Sequence, residues 1–126
     1  MLAHAREDAP VECCGILGGK DGTVALVRRA TNTTASPFRF EIDPRETARI
    51  ERELDEAGLA ILAIYHSHTG TPAVPSPTDV RAMAPLFGPP FVHFVLGLAD
   101  PERPEARAWH IEPGGPAEQQ YELIEE

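Results

Sequence analysis

Leu59-Ala60-Ile61-Leu62-Ala63-Ile64-Tyr65-His66-Ser67-His68 is the stretch that decides the fold. Its apolar part is far shorter than the ~20 residues a membrane helix needs, and it has no polar face. It therefore reads as a central strand covered on both sides of a sheet. Strand side chains alternate, so His66 and His68 at its end point the same way.

Upstream, Asp43 and Pro44 start a helix, with Glu46 where a capping box places an acid. Thr47, Ile50, Leu54 and Ala57 line one side of it and Gly58 ends it. Before that, residues 2–9 predict a short helix stopped by Pro10, and Cys13 to Leu17 a buried strand. Gly18-Gly19-Lys20-Asp21-Gly22 predicts a hairpin turn, followed by strands at 24–27 and 38–42. Downstream, residues 77–86 predict a helix, 91–98 a buried strand and 106–111 an edge strand, with a tail over 117–126 that is frayed or briefly helical. Strands and helices interleave without a regular βαβ rhythm. The expected class is α/β, one domain over 1–126, with a mixed sheet flanked by helices.

With 11 Lys and Arg against 20 Asp and Glu, the net charge of -9 disfavours a phosphate backbone as partner. No apolar run is long enough to span a membrane, and the first residues lack a secretion signal's apolar core. The two cysteines, Cys13 and Cys14, are neighbours, which rarely pair. Reduced thiols and a cytoplasmic setting are expected.

The chemistry concentrates in His66-Ser67-His68-Thr69-Gly70-Thr71-Pro72-Ala73-Val74-Pro75-Ser76-Pro77-Thr78-Asp79. Two imidazoles on one side of a strand reach one ion, and a loop rich in proline returns to deliver Asp79. Two His and one carboxylate make a three-ligand zinc set whose fourth position is open, the arrangement of catalytic zinc. Glu12 is the candidate base. Each part also has a plainer reading. Ser76 to Asp79 is a good helix start, a His at a strand end is often only hydrogen-bonded, and Glu12 after Pro10 is often a solvated acid.

His66-Ser67-His68 with Ser76 and Asp79 matches the motif of the JAMM (MPN+) zinc metalloproteases at each defining position. Glu12-Cys13-Cys14-Gly15 resembles the Glu-x-Cys-Gly block of its bacterial members. The likeness runs from the first helix to about Ile111, and is greatest to peptidases acting on ubiquitin-like sulfur-carrier proteins, including those that free cysteine from the carrier. It implies a cytidine-deaminase-like fold, and the deaminases' own zinc signature is absent. It also implies His66, His68 and Asp79 as zinc ligands, Glu12 as the base that deprotonates the attacking water, and Ser76 as an oxyanion donor. The implied partner is a ubiquitin-like carrier or its C-terminal conjugate.

The family commonly has a strand ahead of the first helix, so an exposed sheet edge is expected here. The insertions with which eukaryotic relatives grip polyubiquitin are missing. A scaffold without catalysis, or a zinc hydrolase of small acyl-amines, remains open, as does the oligomeric state, a homodimer included. His4, His93 and His110 match no ligand position, and Trp109 reads as packing.

Overall fold

The computed structural model describes residues 1–122. Its elements are α1 (Leu2–Asp8), β1 (Cys14–Lys20), β2 (Thr23–Ala30), α2 (Pro44–Glu56), β3 (Ala60–His68), α3 (Pro77–Phe87), β4 (Val92–Gly97), β5 (Glu105–Glu112) and β6 (Gly115–Gln119). The six strands form one sheet in the order β2-β1-β3-β4-β5-β6. β3 and β4 are parallel, joined by the crossover through α3, and every other pair is antiparallel. The α/β class with a mixed sheet between helices is therefore the observed one. Among the described residues, no helix is long and apolar enough to cross a membrane.

Alternation along β1 and β3 sorts the core into two layers. Ile16 and Ile64 face α2 and α3, meeting Ile50, Leu54 and Met83. Leu17, Ala63 and Tyr65 face α1, meeting Ala5, Phe94 and Leu96. Cys14 belongs to the first layer and Cys13 to the second, so the neighbouring thiols turn away from each other. Burial raises their pKa values, to about 11 for Cys13 and about 12 for Cys14, as expected of inert packing thiols.

Four expectations are corrected. Gly18 and Gly19 lie inside β1, and only Asp21 and Gly22 turn the chain, both with positive φ. Glycine is needed at 18 and 19 for closeness, since a Cβ would meet Leu54 from Gly18 and the Thr23 carbonyl from Gly19. Residues 38–42 form no strand; they belong to an irregular crossing between β2 and α2. β5 is not an edge, because β6 pairs outside it, and Ala117 to Gln119 belong to β6 rather than to a frayed tail. Residues 123–126 of that expected tail lie outside the described residues. The edges of the sheet are β2 and β6.

Helix α2 starts as expected, with Asp43 accepting from Arg45 N at 2.8 Å. Glu46, however, accepts from Thr31 N at 2.9 Å and so ties α2 to the end of β2 instead of closing a capping box.

Gly15 decides how tightly β1 and β3 pack. A Cβ there would overlap the ring of Tyr65, which is buried and hydrogen-bonded through its hydroxyl to His4 Nδ1 at 2.7 Å. The ring has no room to swing aside. Gly15→Ala is expected to cost about 1–3 kcal/mol, the usual range for an overpacked core. Urea unfolding should show a lower midpoint at an unchanged slope, and an unmoved midpoint would contradict this packing account.

Candidate metal centre

Pairing of β1 with β3 brings Glu12 to the two histidines. Cys14 stands opposite His66, so two residues further along the antiparallel register Glu12 falls beside His68. Ser67 N donates to Cys13 O at 3.1 Å and Cys13 N to Ser67 Oγ at 2.8 Å, which closes the pair just past the end of β1. His66 and His68 lie at the end of β3, as expected, and the strand gives both one facing.

Asp79 arrives from α3. Ser76 caps this helix: its Oγ accepts from Asp79 N at 3.0 Å, while Asp79 Oδ2 accepts from Ser76 N at 2.9 Å. The plainer reading of this segment as a helix start is therefore correct, and the capping box is also what aims the Asp79 carboxylate at the histidines. A cap of this kind stabilises by about 1 kcal/mol.

The resulting geometry is a triangle. His66 Nε2 and His68 Nε2 are 3.1 Å apart, and each is 3.0 Å from Asp79 Oδ2. Hydrogen bonding alone does not satisfy it. His68 Nδ1 lies 2.9 Å from the Pro72 carbonyl, which can only accept, so the neutral ring carries its proton on Nδ1 and presents a bare Nε2 lone pair. A cation inside the triangle accepts lone pairs from all three atoms. Four-coordinate zinc with bonds of about 2.0–2.1 Å spaces its ligands by roughly 3.3 Å, so a slight opening of these edges suffices. Two imidazoles and a carboxylate are also the donor chemistry zinc takes. The residues fit the ion.

Glu12 completes a group of four, whose ligand atoms all lie within 4.8 Å of one another. It is only 3% exposed, and its Oε1 is buried with no hydrogen-bond partner among the described residues. Burial raises its pKa to about 7, with the Asp79 charge adding to the rise and His68 opposing it. Burial would also raise Asp79, but its close contacts with His66 and His68 and the bond from the Ser76 amide outweigh it and hold the carboxyl well below the usual range. Burial draws His66 down, whereas in His68 the contacts with Asp79 and Pro72 overcome burial and leave the ring raised. A dication beside Glu12 would favour its charged form and pull its pKa back down.

A cleft of about 280 Å³ opens over the group, lined by Glu12, His68 and Ser76 together with Phe38, Gly70 and Thr71. A larger apolar groove, about 760 Å³, runs between Phe40, α2 and α3 and contains none of the four residues. The chemistry places the functional cleft at the smaller one.

Two further residues hold this site that the motif does not include. Phe40 stacks on His66 with ring centres 4.4 Å apart and planes at 20°. Trp109, read from sequence as packing, does pack on Ala73 and Val95, but its Nε1 also donates to Ala73 O at 3.0 Å and so anchors the loop between His68 and Ser76. His93 is a hydrogen-bonded residue of β4, bonded to Phe87 O at 2.8 Å, and His4 sits on the far face of the sheet with Tyr65 and Asp8.

A family model described as prokaryotic homologs of the JAB domain matches residues 1–112. The chain belongs to that family. It is 38% identical over 129 residues to the CysO-cysteine peptidase of Mycobacterium tuberculosis (strain ATCC 25618 / H37Rv), covering all of this chain and 86% of that protein. The desampylase of Pyrococcus furiosus is 34% identical over 99 residues, 79% of this chain and 66% of that one. The solution structure of a Desulfitobacterium hafniense protein superposes with a TM-score of 0.87 at 38% identity, covering 100% of this chain and 87% of that one. This JAB-domain chain is thus a hydrolase of the peptidase class, as the motif in its sequence implied.

Proposed function

We propose that this JAB-domain protein is a zinc peptidase that hydrolyses the amide bond following the C-terminal Gly-Gly of a ubiquitin-like sulfur-carrier protein and releases a small amine such as cysteine. The observation that carries this reading is the triangle of His66 Nε2, His68 Nε2 and Asp79 Oδ2 with the unpartnered Glu12 carboxylate beside it. Relatives named as a CysO-cysteine peptidase, a desampylase and a probable TtuB-protein conjugate cleaving protease support the carrier as the substrate class. Buried free thiols fit the reducing cytoplasm as its setting.

His66, His68 and Asp79 hold the ion. When bound, zinc supplies Lewis acidity, easing the ionisation of water towards neutral pH and polarising the scissile carbonyl. Glu12 Oε1 takes the proton of the attacking water as its oxygen bonds to the carbonyl carbon. The same carboxyl then delivers that proton to the leaving nitrogen as the C–N bond breaks, leaving a carboxylic acid and a free amine. The Ser76 hydroxyl, whose oxygen already accepts from Asp79 N, keeps its proton to donate to the oxyanion. His68 keeps its lone pair turned inward through its Nδ1 bond to Pro72.

A cleft of about 280 Å³, bounded by Phe38, Gly70 and Thr71 as well as the site residues, suits a slender tail. A carrier ending in Gly-Gly amide-linked to cysteine should release cysteine, seen by intact-mass spectrometry. Changing the tail to Gly-Val should lower the rate to below about 1% of that, since misplacing the reacting atoms by an ångström costs about 100-fold. Equal rates on the two tails would sink the carrier reading, while the metal-centre assignment would survive.

A further inference from the structure

Glu12 poses a problem of aim. Its Oε1 has no hydrogen-bond partner among the described residues, and it lies ahead of the first residue of β1, so the register sets its facing but no bond of its carboxylate or of the strand ladder holds its aim. Its main chain is instead gripped from the irregular crossing between β2 and α2. Glu12 N donates to Ser36 O at 2.9 Å, and Asn32 Nδ2 donates to Glu12 O at 3.0 Å.

The half-buried carboxamide of Asn32 does more than this. The same Nδ2 donates to Arg39 O at 2.9 Å. Its Oδ1 accepts from Thr34 N at 3.1 Å, from Thr34 Oγ1 at 2.8 Å and from Glu41 N at 3.1 Å. One side chain thus ties both ends of the segment between Asn32 and Glu41 to each other and to Glu12. Within that segment Ala35 has φ 47°, a left-handed conformation that a residue with a Cβ keeps only when its surroundings enforce it. The segment carries Phe38, 83% exposed at the rim of the cleft, and Phe40, stacked on His66.

We propose that Asn32 is a positioning residue: its carboxamide sets the main chain of Glu12, and through it the aim of the catalytic carboxylate, while clasping the segment that walls the cleft. The proposal rests on Glu12 being the base. The short turn to Thr34 is what an Asn after a strand commonly makes for local reasons. The reach to Glu12, 20 residues back along the chain, is not local and needs the full length of an amide.

Two variants separate these roles. Asn32→Ala removes every bond. Asn32→Ser retains an oxygen that can accept in the short turn to Thr34, but is too short to reach Glu12 O or Arg39 O. Amide hydrogen exchange of the metal-loaded Asn32→Ser protein is expected to quicken at Glu12 and Glu41 by at least about tenfold, with Tyr65 and Ser67 unmoved. On the Gly-Gly-cysteine carrier adduct, kcat is expected to fall about 10- to 100-fold, with KM within about threefold of wild type. Placed in a Glu12→Gln background, the same substitution should lower the residual rate by less than about twofold, because a residue acting through Glu12 has nothing left to aim. Unchanged exchange at Glu12, an equal loss in both backgrounds or a rise in KM alone would each overturn the proposal. The exchange arm needs no turnover, so a wild-type protein inert on that adduct counts against the substrate reading alone.

Discussion

Glu12→Gln is expected to keep one zinc per chain while kcat drops by about 10²–10⁴-fold, the range that general acid-base residues contribute. The substitution keeps volume and hydrogen-bonding capacity but removes the one proton acceptor of the cluster that the ion would leave free. Glu12 sits in the group of four without belonging to the 3.0–3.1 Å triangle, so losing its charge leaves the three ligand atoms in place. Elemental analysis and kinetics on one preparation check both parts. Zinc retained with wild-type turnover means that Glu12 is not the base.

The second large effect belongs to Asp79. Asp79→Ala removes a corner of the triangle and the acceptor of the Ser76 amide. Losing even an outer partner of a ligand weakens metal binding by about 10–100-fold, so losing a ligand itself should exceed that, and activity should vanish with the metal. Losing that half of the capping box, with the Ser76 Oγ bond to Asp79 N kept, should cost up to about 1 kcal/mol as well. Asp79→Asn separates the two losses. Its carbonyl oxygen can still accept from Ser76 N, so the helix start survives, while the missing charge still empties the site. Competition with a chromophoric chelator gives the affinity and thermal unfolding the stability. If Asp79→Asn binds zinc as tightly as the parent, Asp79 is no ligand.

What the sequence disclosed, it disclosed through local patterns. The apolar run into His66 and the Ser76-Pro77 start of α3 are each written in adjacent residues, and those two elements carry the triangle. Glu12 was reachable too, because alternation places it on the His68 face once β1 and β3 are paired. The misreadings have a common cause in long-range contacts. Gly18 and Gly19 look like a turn, but they are glycines because Leu54 and the Thr23 carbonyl press against them from other elements. Phe38, Phe40 and Ile42 alternate like a strand, yet Asn32 takes up the Arg39 carbonyl and the Glu41 amide, groups that a neighbouring strand would otherwise bond. The stacking of Phe40 on His66 and the reach of Trp109 to Ala73 exist only after folding. For Asn32 the one available signal was an Asn between the strands expected at 24–27 and 38–42, which announces a turn and not a grip on a distant acid.

Anomalous diffraction at the zinc absorption edge, from crystals of protein purified without added metal, tests the central claim most directly. The account predicts a single strong peak about 2.0–2.1 Å from His66 Nε2, His68 Nε2 and an Asp79 carboxylate oxygen, with Glu12 beside it but outside bonding distance. A peak elsewhere, or none between these residues, would contradict it.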